Sequence, residues 1–357
     1  MRKQRKYLSE WTQALQPWIP GEQPRGRRYI KLNTNESPFS PAPGVITALQ
    51  AEAAQLRLYP DPTCAALRKA LAGLHGIAPE GIFVGNGANE ALAFCFAAFF
   101  AGGAVRGADI SYGFFATLAK LCGTAYHTVP VLEDFSIDPD SLCGGNFGVA
   151  LANPNTPTSR ALPRGGLRSI AESCAAQGKV LLVDEAYISF GGESALPLLE
   201  TLDNVVIVRT FSKAYALAGL RVGYAMAHPA LIEGLNKVRN SFNPHGVDRL
   251  AQAAALAAVY DTAYAERCVA AVCAARLRFA SGLKAMGFTV LPSDANFVFA
   301  RHPNHRGDAL QSALRSKGIL VRRFDEPRIV DWLRITIGND EEMDKAIGAL
   351  KTIVAPR

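Results

Sequence analysis

The sequence predicts an α/β protein with a mostly parallel central sheet flanked by helices, followed by a smaller α+β unit at the C-terminus. Three observations carry this. Between about residues 80 and 225, short apolar runs alternate with segments of helical length. Those runs are apolar throughout instead of at every second position, as strands buried on both faces are. After about residue 245 the texture changes to a long alanine-rich helical pattern and then to short strand-like runs. At 357 residues the chain is long enough for one large core and one smaller one.

Taken in order, the expected strands of the first unit are "GIFVG" at 81–85, "ADISY" at 108–112, "YHTVPV" at 126–131 and "FGVALANP" at 147–154. They continue with "KVLLVDEAY" at 179–187, "NVVIVRTFS" at 204–212 and "RVGYAMA" at 221–227. The uncharged run 91–105, "ALAFCFAAFFAGGAV", is too short and too glycine-broken to span a bilayer and predicts a buried helix. A long helix is expected over 249–287, then strands at "FTVLPS", "NFVFA", "ILVRR" and "LRITIG". The chain is expected to divide into an N-terminal arm over 1–35, a large domain over 36–245 and a small domain over 246–357. No period of 20 to 50 residues recurs, which excludes a repeat architecture.

Composition narrows the function. With 49% hydrophobic and 19% charged residues the chain has the balance of a globular protein, not a disordered one. A net charge of +7 and a pI near 9.1 would suit nucleic acid if the basic residues clustered. Apart from "MRKQRK" at 1–6 and "RGRR" at 25–28 they are scattered, as on an ordinary solvated surface, so no nucleic-acid partner is expected; a phosphorylated small substrate would also suit a mildly basic protein. Cys64, Cys95, Cys122, Cys143, Cys174, Cys268 and Cys273 form no C-x-x-C pair, which argues for a reducing compartment without disulfides or a metal cluster. Glu10, Gln13 and Gln16 interrupt the first apolar stretch, so no signal peptide is expected there. A cytoplasmic protein without membrane contact is the expectation.

Ligands of open α/β sheets gather at the carboxyl ends of the strands. After "GIFVG" comes "NGANEAL", a glycine turn entering a helix whose free N–H groups suit a phosphate. As a dinucleotide motif it is incomplete, which disfavours a nicotinamide dehydrogenase. After "KVLLV" come Asp184 and Tyr187, and after "VVIV" come Thr210, Ser212, Lys213 and Arg221. Each alone could be a helix cap or a solvated side chain. Together they match what pyridoxal 5'-phosphate requires: an amine to condense with its aldehyde, a carboxylate to keep its pyridine nitrogen protonated, and an arginine fork with backbone amides for its phosphate.

Nearly the whole chain resembles the fold-type I aminotransferases, and within them the histidinol-phosphate aminotransferase family. The resemblance rests on "PWIPGEQP" at 17–24, "KLNTNESPFSPAP" at 31–43, "LYPDP" at 58–62, "GNGANEAL" at 85–92 and "NPNTPT" at 153–158. It continues through "VDEAYISF" at 183–190, "TFSKAYALAGLRVGY" at 210–224, "SFNPHGVDRLAQAA" at 241–254 and "LRITIG" at 333–338. It implies that Lys213 bonds the cofactor aldehyde and moves the substrate Cα proton, that Asp184 pairs with the pyridine nitrogen, and that Tyr187 binds the ring hydroxyl. It further implies that Tyr112 stacks on the ring and that the backbone of Ala88 and Asn89, with Thr210, Ser212 and Arg221, holds the phosphate. Tyr59 would reach that phosphate from a partner subunit, implying a homodimer with shared sites.

Arg334 and Arg322 are implied as the substrate's anion binders. Two departures stand out. Thr156 occupies the place of a family asparagine that contacts the ring oxygen, and Ser159 replaces a glycine. The implied reaction is reversible amino transfer between L-histidinol phosphate with 2-oxoglutarate and imidazole acetol phosphate with glutamate. Threonine-phosphate decarboxylation and aromatic amino transfer are the neighbouring alternatives of the same fold. A non-catalytic regulator on this scaffold would need a DNA-reading head for which no region remains.

Overall fold

The computed structural model describes residues 7–24 and 29–355; both basic stretches, 1–6 and 25–28, lie outside the described residues. The first strand, β1 (Ile30–Leu32), is followed by β2 (Ile82–Gly85), β3 (Ala104–Ala108), β4 (Ala125–Val129), β5 (Gly148–Ala152), β6 (Leu181–Asp184), β7 (Val205–Thr210) and β8 (Gly223–Ala227). Then come β9 (Thr289–Val290), β10 (Phe297–Arg301), β11 (Ile319–Arg323) and β12 (Leu333–Thr336). They form two sheets. The larger has the order β2-β8-β7-β6-β5-β3-β4, and the smaller β1-β11-β12-β10-β9.

In the larger sheet β4, β3, β5, β6 and β7 are parallel, while β8 runs antiparallel to both β7 and β2. Helices cover both faces. One core gathers Leu181, Val183, Val205 and Ile207 with Leu167 and Ala254, and the other gathers Leu182, Val206 and Val208 with Leu92, Phe96 and Phe115. Alternate residues of one strand therefore feed opposite cores, which is why β6 and β7 are apolar at each position up to their carboxyl ends. Truncating a residue such as Leu182 to alanine would cost about 2–5 kcal/mol.

Three elements differ from expectation. The second strand of the large sheet is Ala104–Ala108, upstream of "ADISY". Gly103 before it and its own Arg106 and Gly107 look like a turn in sequence, but a Cβ on Gly107 would collide with the Tyr126 hydroxyl and the Ala150 carbonyl, so the glycine is there for close strand packing. The buried helix expected over 91–105 ends accordingly at Phe99. The long helix is two, Arg249–Tyr260 and Thr262–Ala285; Asp261 ends the first and caps the second by accepting from the Tyr264 N–H at 3.1 Å. The first packs on the large-sheet core and the second on the small-sheet core.

β1 pairs in parallel with β11, so the segment before residue 35 is stitched into the small sheet's edge. The chain then crosses from that edge towards the carboxyl ends of β5, β6 and β7. This crossing brings residues 33–36 into the site. Among the described residues no helix is long and apolar enough to cross a membrane, and no group of His, Cys, Asp and Glu could hold a metal ion.

Candidate active site

At one end of a cavity of about 450 Å³ lies the turn from β2 into the helix Ala88–Phe99. Gly87, at φ +84°, offers no side-chain cap, and the first helical turn has N–H groups without intrahelical partners. A Cβ on Gly87 would stand 2.5 Å from the Arg221 guanidinium, so glycine is what lets that charge lie against the helix entrance. Glu90 Oε2 accepts from the Asn86 N–H at 2.6 Å and braces the turn. Thr210 donates to Ser212 Oγ at 2.9 Å, and Arg221 donates to Ser212 Oγ at 3.2 Å and to the Ala218 carbonyl at 3.1 Å. Arg221 adopts φ +54°, a left-handed backbone unusual for a non-glycine residue. Two hydroxyls, a guanidinium and a helix N-terminus thus converge.

At the other end β6 delivers Asp184, buried, with Oδ1 accepting from the Ala186 N–H at 3.0 Å. Burial pushes its carboxyl up to about 7, against the Ala186 hydrogen bond, with Glu185 raising it further and Lys213 lowering it. Lys213 Nζ donates to the Thr34 carbonyl at 3.1 Å. Burial lowers its amine to about 8; Arg334 and Arg221 act in the same direction, and Glu36 and Asp184 oppose them. Tyr112 donates to Asn89 Oδ1 at 3.0 Å and meets Trp18 edge-on at 5.8 Å between ring centroids.

A second cavity of about 230 Å³ adjoins the first through Thr34, Tyr112 and Thr156, and is lined by Arg322, Arg334, Phe324 and Trp18. Arg322 and Arg334 are paired across β11 and β12. Arg334 donates to Thr156 Oγ1 at 3.1 Å and to the Asn33 carbonyl at 3.0 Å, while its Nε is buried without a partner. Burial lowers the proton affinity of Arg334, and Arg322 lowers it further against the opposing effect of Tyr187. Such a pair with an unmet donor suits an anion with several oxygens.

The structure brings Ala88, Asn89, Tyr112, Thr156, Asp184, Tyr187, Thr210, Ser212, Lys213 and Arg221 to the first cavity, and Arg322 and Arg334 to the second. Tyr59 stands apart, 81% exposed, its ring stacked on His245 at 4.8 Å and its carbonyl held by Arg249 at 3.0 Å. Ser159 takes φ +64°, a left-handed geometry that glycine adopts more readily; its hydroxyl donates to the Thr158 carbonyl at 2.5 Å and lies 3.1 Å from the Pro292 carbonyl. The sequence reading missed Asn33, Thr34 and Asn35, which touch Arg334, Lys213 and Tyr187 respectively. Two of these contacts are made by backbone carbonyls, which side-chain identity does not advertise.

Aminotransferase class I and II is the family whose sequence profile matches residues 27–350. The chain belongs to that family. Among the relatives of this aminotransferase is histidinol-phosphate aminotransferase 1 of Bordetella parapertussis, 48% identical over 98% of this chain and 99% of the relative. Histidinol-phosphate aminotransferase of Clostridium acetobutylicum is 43% identical over 98% and 99%. The solved structure of histidinol-phosphate aminotransferase from Sinorhizobium meliloti in complex with pyridoxal-5'-phosphate has a TM-score of 0.89 and 29% identity, covering 98% of each chain. L-threonine-O-3-phosphate decarboxylase from Porphyromonas gingivalis has a TM-score of 0.78 at 23% identity, covering 92% of this chain and all of that one, a likeness of fold alone.

The aminotransferase's own residues fit pyridoxal phosphate. The Gly87 cradle with Arg221 suits an anion, and the buried Asp184, whose carboxyl burial raises to about 7, would need a cationic partner to be ionised. Lys213 lines the same cavity with its amine lowered to about 8.

Proposed function

We infer that the chain is a pyridoxal-phosphate-dependent histidinol-phosphate aminotransferase of histidine biosynthesis, exchanging the amino group between L-histidinol phosphate with 2-oxoglutarate and imidazole acetol phosphate with glutamate. The observation that carries it is the common cavity of Lys213, Asp184 and Arg221, opening onto the cross-strand pair Arg322 and Arg334. In this reading the helix N-terminus at Ala88 and Asn89 holds the cofactor phosphate together with Thr210, Ser212 and Arg221. Asp184 keeps the pyridine nitrogen protonated. Tyr187 and Thr156 bind the ring oxygen, and Tyr112 covers the ring.

Bound there, the cofactor supplies an electron sink for the pair left when the substrate Cα loses its proton. Lys213 Nζ takes that proton and returns it, and an amine near 8 serves as base close to neutral pH. Arg334 and Arg322 hold the phosphate of histidinol phosphate, and Arg334 takes the α-carboxylate when glutamate is the donor. Trp18 lines the substrate end beside Tyr112. The protein works in the cytoplasm as a homodimer. Tyr59, exposed on its own chain, reaches the partner's cofactor phosphate.

A donor comparison tests this: histidinol phosphate, threonine phosphate and phenylalanine, each with and without 2-oxoglutarate. Transfer from histidinol phosphate that depends on 2-oxoglutarate is expected. Release of CO₂ from threonine phosphate without 2-oxoglutarate, and no transfer from histidinol phosphate, would replace the reading with a decarboxylase.

A further inference from the structure

Residues 33–35 cross the site, and each touches a different functional group. The Asn33 carbonyl accepts from Arg334, the Thr34 carbonyl accepts from Lys213, and Asn35 Nδ2 donates to Tyr187 Oη at 2.9 Å. Asn35 is 1% exposed and holds φ +54°, a conformation that asparagine tolerates better than most residues. Its other polar atoms are engaged as well. The backbone N–H donates to Thr336 Oγ1 at 3.0 Å, Oδ1 accepts from Thr336 Oγ1 at 2.9 Å, and the carbonyl accepts from Asn296 Nδ2 at 3.1 Å.

This pattern fixes the direction of the amide. Thr336 Oγ1 accepts from the Asn35 backbone N–H and donates its proton to the Asn35 side-chain oxygen, which leaves the NH₂ facing Tyr187. Tyr187 Oη is therefore an acceptor on that side, and its own proton must point elsewhere. Thr156 interacts with the same hydroxyl, and the Thr156 oxygen in turn accepts from Arg334. Asp184, Arg334 and Tyr112 are the other titratable groups that bear on Tyr187.

We propose that Asn35 is a positioning residue: by donating to Tyr187 Oη from behind, it turns the tyrosine's proton towards the ring oxygen of the bound cofactor. The proposal rests on the site assignment above, in which Tyr187 meets that oxygen. A donor aimed at the ring oxygen lowers its hold on the neighbouring proton, so losing the donor raises the pH midpoint of the cofactor's visible band.

The test is a double-mutant cycle on the holoenzyme, reading that midpoint by absorbance and cofactor affinity by fluorescence. Asn35→Gly is chosen because glycine keeps the left-handed backbone and removes only the amide. It should raise the midpoint by about half to one pH unit and weaken cofactor binding about three- to tenfold, the effect of one hydrogen bond. In a Tyr187→Phe background the same substitution should move neither. A melt of the cofactor-free variant checks folding. If Asn35→Gly does not fold, the isosteric Asn35→Asp takes its place, since a carboxylate can only accept from Tyr187, and the cycle isolates the part of its shift that depends on the tyrosine.

An equal shift in both backgrounds, or none in either, overturns the proposal. If Tyr187→Phe itself leaves the band unchanged, the assignment of Tyr187 fails and the proposal falls with it. If wild type gains no visible band from pyridoxal phosphate, it is the cofactor reading that fails.

Discussion

Arg334 and Thr156 are joined across the mouth of the site by a 3.1 Å hydrogen bond, the guanidinium from β12 donating to the hydroxyl of the loop after β5. Threonine here replaces the asparagine expected from relatives, and its single hydroxyl serves both Arg334 and Tyr187. Arg334 and Tyr187 thus meet at one oxygen.

Removing that oxygen should be felt on both sides. Thr156→Val is expected to cost about 1 kcal/mol, roughly fivefold, in cofactor affinity and in the KM for each amino donor. Thr156→Asn, which offers a donor and an acceptor with longer reach, should be tolerated. Fluorescence titration of the cofactor and single-turnover kinetics check this; a valine variant unchanged in both would mean that Thr156 serves packing alone.

Lys213 gives a pH signature. Its amine, near 8 in the folded chain, ordinarily titrates at 10.5. The association rate of pyridoxal phosphate with cofactor-free protein should therefore climb through about pH 8 and level off above it, as growth of visible absorbance would record. The unfolded chain keeps the lysine proton to higher pH, so it binds more protons between about 8 and 10.5. Stability relative to Lys213→Met should accordingly rise across that window. After borohydride reduction of the holoenzyme the label should be on Lys213 and on no other lysine.

Asp184 has the opposite sign. Its carboxyl sits at about 7 when folded and 3.8 ordinarily, so the folded chain binds more protons between those values and loses stability as pH rises through them. Asp184→Asn keeps an acceptor for the Ala186 N–H and removes the buried charge. The cofactor-free variant should melt higher than wild type above pH 7, with the advantage shrinking towards pH 4. Loaded with cofactor, the same variant should lose several powers of ten in turnover while cofactor content falls much less. Near-native turnover would reduce Asp184 to a structural cap.

What could be read from the sequence, and what could not, follows from the kind of signal each residue emits. The apolar runs of β6 and β7 announce themselves, and the polar residues at and just after their ends, Asp184, Thr210, Ser212 and Lys213, are legible because strand ends are where such a sheet binds ligands. β3 was hidden because a close strand contact requires Gly107, and glycine and arginine together look like a turn. The break at Asp261 was hidden by the alanine-rich helical pattern on either side. The strap at 33–35 was hidden most completely. Its role depends on β1 pairing with β11, some 290 positions away, a register no local pattern encodes.

The substrate end supplies the last expectation. Arg322 and Arg334 are register partners on β11 and β12, and each guanidinium lies over the Phe324 ring, at 5.7 and 5.6 Å. Arg334 is tied to Thr156 and the Asn33 carbonyl, whereas Arg322 makes no hydrogen bond or ion pair among the described residues. Arg334 is thus the fixed anchor and Arg322 the group free to follow a larger anion. Histidinol phosphate carries a phosphate where glutamate carries an α-carboxylate, so it alone needs both. Arg322→Gln should lower kcat/KM for histidinol phosphate roughly tenfold to a hundredfold, as for a charge-assisted contact of about 1.5–3 kcal/mol, with a smaller loss for glutamate. Arg334→Gln should damage both donors and change their ratio less. Each half-reaction must be followed alone by the loss of the cofactor's visible band, because steady-state turnover mixes the two. A ratio unmoved by Arg322→Gln would place the phosphate on Arg334 alone.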